Sequence, residues 1–237
     1  MFRILHYTYI YKMEIPTILK KFKSLENPKA LEGMARFGID SSTAYGVPIP
    51  ELRKLAGEIK KNHKLALDLW EINNHESKIL ATMIADPEKT TEALMDKWVK
   101  DFYSWDVCDQ CIMNLFEKTP YAYKKAYEWS ERNEEFVKRA GFVLMARLGF
   151  TDRNAEDKKL EMFFPVIKRE ATDERNFVKK AVNWAIRQIG KRNKYLNVKA
   201  IELSEEIRKM NSKSARWIAN DALRELQSEA VRKRLKK

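Results

Sequence analysis

A six-residue string returns in this chain at the spacing of one helix pair. Glu135-Phe136-Val137-Lys138-Arg139-Ala140 recurs 41 residues later as Asn176-Phe177-Val178-Lys179-Lys180-Ala181. Trp184-Ala185-Ile186-Arg187 is then echoed 37 residues on by Asp221-Ala222-Leu223-Arg224. Helix pairs at a period of about 40 residues are the signature of stacked repeats, in which each unit buries its apolar face against its neighbours. The expected fold is all-α: a HEAT-like or armadillo-like solenoid of stacked helix pairs with a concave basic groove.

The local pattern agrees. Candidate helices cover 16–23, 28–37, 50–60, 64–71, 75–85, 90–101, 105–117, 120–130, 134–148, 156–170, 174–190, 197–209 and 213–226. Pro48 and Pro50 precede one helix, Thr119-Pro120 opens another, and Gly149 and Gly190 fall near C-terminal ends. Seven Gly and seven Pro in 237 residues are too few for the turns of an all-β chain. One repeat domain is expected over 13–237. The apolar, aromatic start has no small-residue cleavage site, so 1–12 reads as an N-terminal extension and Met13 as an alternative start.

Charge narrows the partner. Lys and Arg total 46 against 34 Asp and Glu, a formal charge of +12. That excess speaks to partners and solubility and fits a phosphate-rich one such as DNA or RNA. No apolar run approaches the length of a membrane span. Two Cys and no export signal point to a reducing cytoplasm, with nucleoid association when DNA is bound.

Repeated basic residues precede apolar helix stretches: Lys138 and Arg139, then Lys179 and Lys180. Stacking would align them along one groove suited to a phosphate backbone; exposed positions on similar amphipathic helices would give the same pattern. Arg187, Lys191 and Arg216 extend the basic set.

Three neighbourhoods carry candidate chemistry. Trp105 and Asp109 stand one turn apart and share a helix face. Asp109 lies among Val107, Cys108, Cys111 and Ile112, where a carboxylate needs a partner or a task. Arg139 shares a face with Phe136 and Val143; it fits a surface charge, a partner for Asp109, or a phosphate clamp. Trp184 and Arg187 pair one repeat later, and Trp217 beside Arg216 reads as an edge contact. Cys108-Asp109-Gln110-Cys111 has CxxC spacing, but no second pair exists, and His6, His63 and His75 are remote in sequence. Two half-buried thiols fit better than a zinc site, and no metal or cofactor is expected. No phosphate-cradling Gly loop and no Gly-x-Ser-x-Gly elbow occur.

Ser104-Trp105-Asp106-Val107-Cys108-Asp109, Lys138-Arg139-Ala140 and Phe177-Val178-Lys179-Lys180-Ala181-Val182-Asn183-Trp184-Ala185-Ile186-Arg187 resemble the AlkD-type DNA alkylation repair family of HEAT-like repeat DNA glycosylases. Met34-Ala35-Arg36 and Gly46-Val47-Pro48 leading to Pro50-Glu51-Leu52-Arg53 resemble its first repeat. The resemblance covers about residues 15–226. It implies excision of cationic N3- and N7-alkylated purines from duplex DNA by hydrolysis of the N-glycosidic bond. It implies Asp109 as the catalytic carboxylate, Trp105 and Trp184 as indoles against the lesion's deoxyribose and backbone, and Arg139 as the arginine holding DNA near the lesion. The chain departs from the family at Tyr103-Ser104, where a further Trp is frequent, and around Asp40-Ser41-Ser42-Thr43-Ala44-Tyr45.

Elementary chemistry is compatible with that implication. An alkylated purine cation leaves without a strong general acid, and the barrier is dominated by an oxocarbenium-like sugar. A fixed carboxylate aimed at that charge is worth on the order of 3–4 kcal/mol. The expected partner is double-stranded DNA carrying alkylated bases, bound by a monomer. Two alternatives share the repeats: a non-catalytic DNA-binding member of the same superfamily, and a HEAT-type protein scaffold, which would carry apolar or acidic residues along the groove.

Overall fold

A computed structural model describes residues 14–236. The expected extension 1–12 and Met13 lie outside the described residues. Among the described residues the secondary structure is α-helix with two 3-10 turns, Pro87–Lys89 and Phe116–Lys118, and no strand. The all-α expectation holds. Two compact units result, one ending at Ala85 and one beginning at Asp86.

The first unit contains α1 (Ile15–Ser24), α2 (Pro28–Arg36), α3 (Ile49–Ile59), α4 (His63–Trp70) and α5 (His75–Ile84). Three of its helices start at an asparagine whose side chain accepts from a first-turn amide: Asn27 from Ala30, Asn62 from Leu65 and Asn74 from Ser77. Such caps contribute about 1 kcal/mol each. Helices α3 and α4 both pack on α5.

The loop between α2 and α3 is tied down by one buried acid. Glu76, only 1% exposed, accepts from the backbone amides of Tyr45 at 3.0 Å, Gly46 at 2.7 Å and Val47 at 3.2 Å. Gly46 has φ +74°, and a Cβ there would sit 2.6 Å from the Asn27 carbonyl oxygen, so only glycine fits. The Asp40–Tyr45 stretch singled out in the sequence is thereby pinned to the start of α5.

The second unit contains α6 (Glu92–Lys100), α7 (Trp105–Asn114), α8 (Ala122–Ser130), α9 (Glu135–Thr151), α10 (Asp157–Glu161), α11 (Phe164–Glu170), α12 (Asn176–Gly190), α13 (Lys194–Arg208), α14 (Lys213–Leu226) and α15 (Glu229–Lys236). Helices α7, α9, α12 and α14 pack in succession as one layer. Helices α8, α11 and α13 back α9, α12 and α14 respectively. The repeat in sequence is thus a repeat in space, since α9 and α12 begin with the two copies of the same string.

Helix α9 is the centre of this unit. It is buried without interruption from Val137 to Ala146, as expected of a helix enclosed on all sides. Gly141 permits its close approach to α8, because a Cβ there would lie 2.5 Å from the Ser130 amide nitrogen and 2.9 Å from the Ala126 carbonyl oxygen. In the outer layer, Lys125 is 2% exposed and is held by Glu92 at 2.9 Å, Asp96 at 2.7 Å and Glu128 at 2.6 Å.

Three elements differ from expectation. The helix expected over 105–117 ends at Asn114 and is followed by the 3-10 turn Phe116–Lys118. The helix expected over 156–170 is broken into α10 and α11 around Met162 and Phe163. Pro165, in the first turn of α11, has no N–H to offer the Glu161 carbonyl, so one helix cannot run through. Helix α15 was not anticipated; its charged sequence buries little beyond Val231 and so shows no apolar period.

Candidate functional site

The start of α7 is fixed by its own polar residues. Ser104 Oγ donates to Asp106 Oδ1 at 2.6 Å, and the same oxygen accepts from the Val107 amide at 2.9 Å. This leaves Trp105 half-buried at the first position of the helix and brings Asp109 inward one turn later.

Asp109 is 8% exposed and meets Arg139, which is 6% exposed. Arg139 Nε donates to Asp109 Oδ1 at 2.9 Å, and Nη2 donates to Oδ2 at 2.8 Å. Arg139 Nη1 donates to the Phe177 carbonyl at 2.7 Å. One guanidinium therefore joins α7, α9 and α12. Its fork matches the two carboxylate oxygens, the strongest geometry available to a protein ion pair. The Arg139 guanidinium carbon also lies 6.0 Å from the centre of the Trp105 ring. Of the three roles open to Arg139, surface charge does not fit this burial, and partnership with Asp109 does.

Burial pushes the Asp109 carboxyl above its ordinary value, and the charge and hydrogen bonds of Arg139 pull part of the way back. Burial opposes the Arg139 charge, but Asp109 outweighs it and the guanidinium is held more firmly protonated. The thiol beside the pair behaves differently. Cys108 is fully buried, and burial, with the Asp109 charge adding to it, pushes its thiol well up. Cys108 Sγ lies 3.7 Å from the Phe136 carbonyl oxygen. Both cysteines are fully buried, not half-buried as expected, and Cys108 is a protonated core thiol. Among the described residues no cluster of His, Cys, Asp and Glu suits a metal ion.

Trp184 is half-buried on α12, two turns beyond Phe177 and on the same face. Phe177 in turn packs against Phe136, ring centres 5.6 Å apart. The structure thus brings Asp109, Arg139 and Trp105 into one cluster. Trp184 lies about 10 Å further along α12 than Phe177, whose carbonyl Arg139 reaches.

The basic candidates separate into two groups. Lys138 is 8% exposed and pairs with Glu170 at 2.5 Å and Asp173 at 3.8 Å. Arg187 pairs with Glu225 and, at 3.7 Å, with Asp221. Lys191 reaches the other oxygen of Glu225 at 2.6 Å. These three spend their charge on carboxylates 32 to 38 residues away in sequence. Lys180 and Arg216 are exposed, and Lys179 extends over the Trp217 ring at 5.2 Å, with Trp217 41% exposed.

Sequence reasoning missed the Phe177 carbonyl and the acids Glu170, Asp173 and Glu225. Backbone acceptors leave no side-chain signal, and the acids look like any solvated helix face until α12 and α14 are packed. The recurrence of Phe at the second position of α9 and α12 was the available sign that their first turns pack together.

A family described as DNA alkylation repair enzyme matches this chain over residues 18–226. Two relatives, uncharacterized proteins Lin0241 of Listeria innocua serovar 6a and Lmo0209 of Listeria monocytogenes serovar 1/2a, are 26% and 25% identical over 195 residues. Those alignments cover 81% of this chain and 85% of each relative. A solved structure superposes with a TM-score of 0.78 at 22% identity, over 94% of this chain and 96% of that one. It belongs to a family of proteins related to the HEAT-like repeat DNA glycosylases with affinity for branched DNA structures. The fold is accordingly HEAT-like.

Proposed function

Because the chain belongs to the DNA alkylation repair enzyme family, we propose that it is a DNA glycosylase that hydrolyses the N-glycosidic bond of cationic N3- and N7-alkylated purines in duplex DNA. The observation that carries this is the Asp109–Arg139 pair: a carboxylate held rigid by two charge-assisted bonds beside a half-exposed indole.

In the reaction the alkylated purine leaves with the glycosidic electron pair and becomes neutral. Water adds through its oxygen to C1′ of the sugar and loses a proton. The sugar passes through an oxocarbenium-like state, and Asp109 stabilises that charge because its position is set before the reaction starts. Burial, which raises the Asp109 pKa, makes the carboxylate a better acceptor for the proton of the attacking water. The faces of Trp105 and Trp184 stabilise the cationic sugar and base at about 0.5–2 kcal/mol each. Arg139 is a positioning residue for Asp109. Lys179, Lys180 and Arg216 contact backbone phosphates along the layer of α7, α9, α12 and α14, and the chain acts as a monomer on the duplex.

Two observations favour a second, binding-only function. Both oxygens of Asp109 already accept from Arg139, and the solved relative belongs to a family with affinity for branched DNA. The test is release of 7-methylguanine or 3-methyladenine from methylated duplex by the purified chain. Release above the spontaneous rate supports the glycosylase, and DNA affinity with no release supports the binding protein.

A further inference from the structure

A group of cations lies at the other end of the central helices from the Asp109–Arg139 pair. Arg139 and Phe177 stand in the early turns of α9 and α12. Beyond the C-terminal ends of the same two helices, a cavity of about 580 Å³ is lined by Arg153, Arg192, Asn193, Lys194, Tyr195 and Arg234, with Leu235 at its rim. At 1.5 Å per residue, the path along α9 separates the two places by about 20 Å.

Among the described residues, four cations meet at this cavity without a direct ion pair: Arg153, Arg192, Lys194 and Arg234, in contrast to Lys138, Arg187 and Lys191. The nearby acids are engaged by neutral donors: Asn193 Nδ2 donates to Asp157 at 2.7 Å, and the Tyr195 hydroxyl donates to Glu161 at 2.7 Å. Nor does the negative end of α9 call for all four charges. Arg192 donates to the carbonyl of Gly149 in the last turn of α9 at 3.4 Å, and to those of Arg153 at 2.9 Å and Ala155 at 3.0 Å in the loop beyond it. Arg153, Lys194 and Arg234 are exposed beside it. With Asp157 and Glu161 turned to Asn193 and Tyr195, the donors of Arg153, Lys194 and Arg234 face solvent and can accept an anion.

Resting on the DNA-binding function proposed above, we infer that this cavity is a separate phosphodiester-binding site, which holds the backbone of DNA outside the stretch engaged at Asp109. A span of about 20 Å corresponds to roughly six phosphates along one strand. Arg153 and Arg234 supply forked donors for phosphate oxygens, and Lys194 supplies a point charge. DNA is thereby held at two points, one where a glycosidic bond is presented and one that fixes the flanking backbone.

The test is a salt titration of binding to an unmodified duplex several turns long, run on the full chain. The double variant Arg153→Glu with Lys194→Glu is compared with a control of equal charge change on α11 and α13, Lys168→Glu with Lys199→Glu. The cavity variant should bind roughly tenfold more weakly at low salt, with the slope of log K against log salt reduced by about 2, while the control keeps the parent slope. Arg153→Gln with Lys194→Gln should show the same slope change. An unchanged slope in the cavity variants, or an equal loss in the control, overturns the inference. Base release by the parent chain, measured alongside, separates the two failures: normal release with an unchanged slope sinks the cavity alone. A reduced slope with no release sinks the glycosylase and leaves the cavity standing.

Discussion

Asp109 and Arg139 occupy the same position, the fifth, of two neighbouring helices, α7 and α9. Their ion pair forms because α7 packs against α9 and brings these two side chains together. A pair this buried gains little over an apolar replacement but is costly to break from one side, because a lone charge stays behind. Arg139→Gln should lower stability by about 3–5 kcal/mol, read as a shift in the urea midpoint. Arg139→Lys should recover part of the loss, since it restores charge but not the fork.

The fifth positions of α12 and α14 are Lys180 and Trp217, both exposed. Lys180→Ala should weaken DNA binding uniformly across sequences and reduce the salt slope by about 1. Stability should be unchanged, since Lys180 forms no ion pair among the described residues.

Acidity should limit activity through Asp109. Its carboxyl is raised by burial and partly restored by Arg139, and the reaction needs the ionised form. Base release should fall as pH drops through a value above that of an ordinary aspartate. Removing the Arg139 charge should move that limb to still higher pH. The effect on stability has the opposite direction. The folded state holds the Asp109 proton more tightly than the unfolded chain, so stability falls as pH rises from the ordinary value to the raised one. A pH profile of single-turnover release for the parent and Arg139→Gln checks both the position and the movement of the limb.

Gly141 sets how closely α9 lies on α8. Its missing side chain leaves room for the Ser130 backbone, so Gly141→Ala forces the helices apart or bends one. The cost should be about 1–3 kcal/mol by thermal or urea unfolding. Base release should fall as well, because α9 carries Arg139.

Most helices were legible because each buries one stripe and many are bounded by Pro or Gly. The break at Pro165 was also open to reading, since a proline cannot serve a carbonyl four residues back. Helix α15 was not, because its Lys and Arg residues hide any apolar period. The site was legible in part. Asp109 stood out as a carboxylate among apolar neighbours, but the partnership with Arg139 depends on α7 packing against α9, which local pattern does not encode. The ion pairs of Lys138, Arg187 and Lys191, and the cavity between Arg153 and Lys194, have the same origin. Each joins residues more than thirty apart and appears only when the repeats are stacked.

The central claim is that the Asp109 carboxylate lowers the barrier to base loss. Single-turnover release of 7-methylguanine by Asp109→Asn at saturating methylated duplex, with DNA affinity measured on the same preparation, tests it most directly. Release should fall to near the spontaneous rate while affinity stays close to that of the parent chain. Release by a folded, DNA-binding Asp109→Asn protein at the parent rate would contradict it.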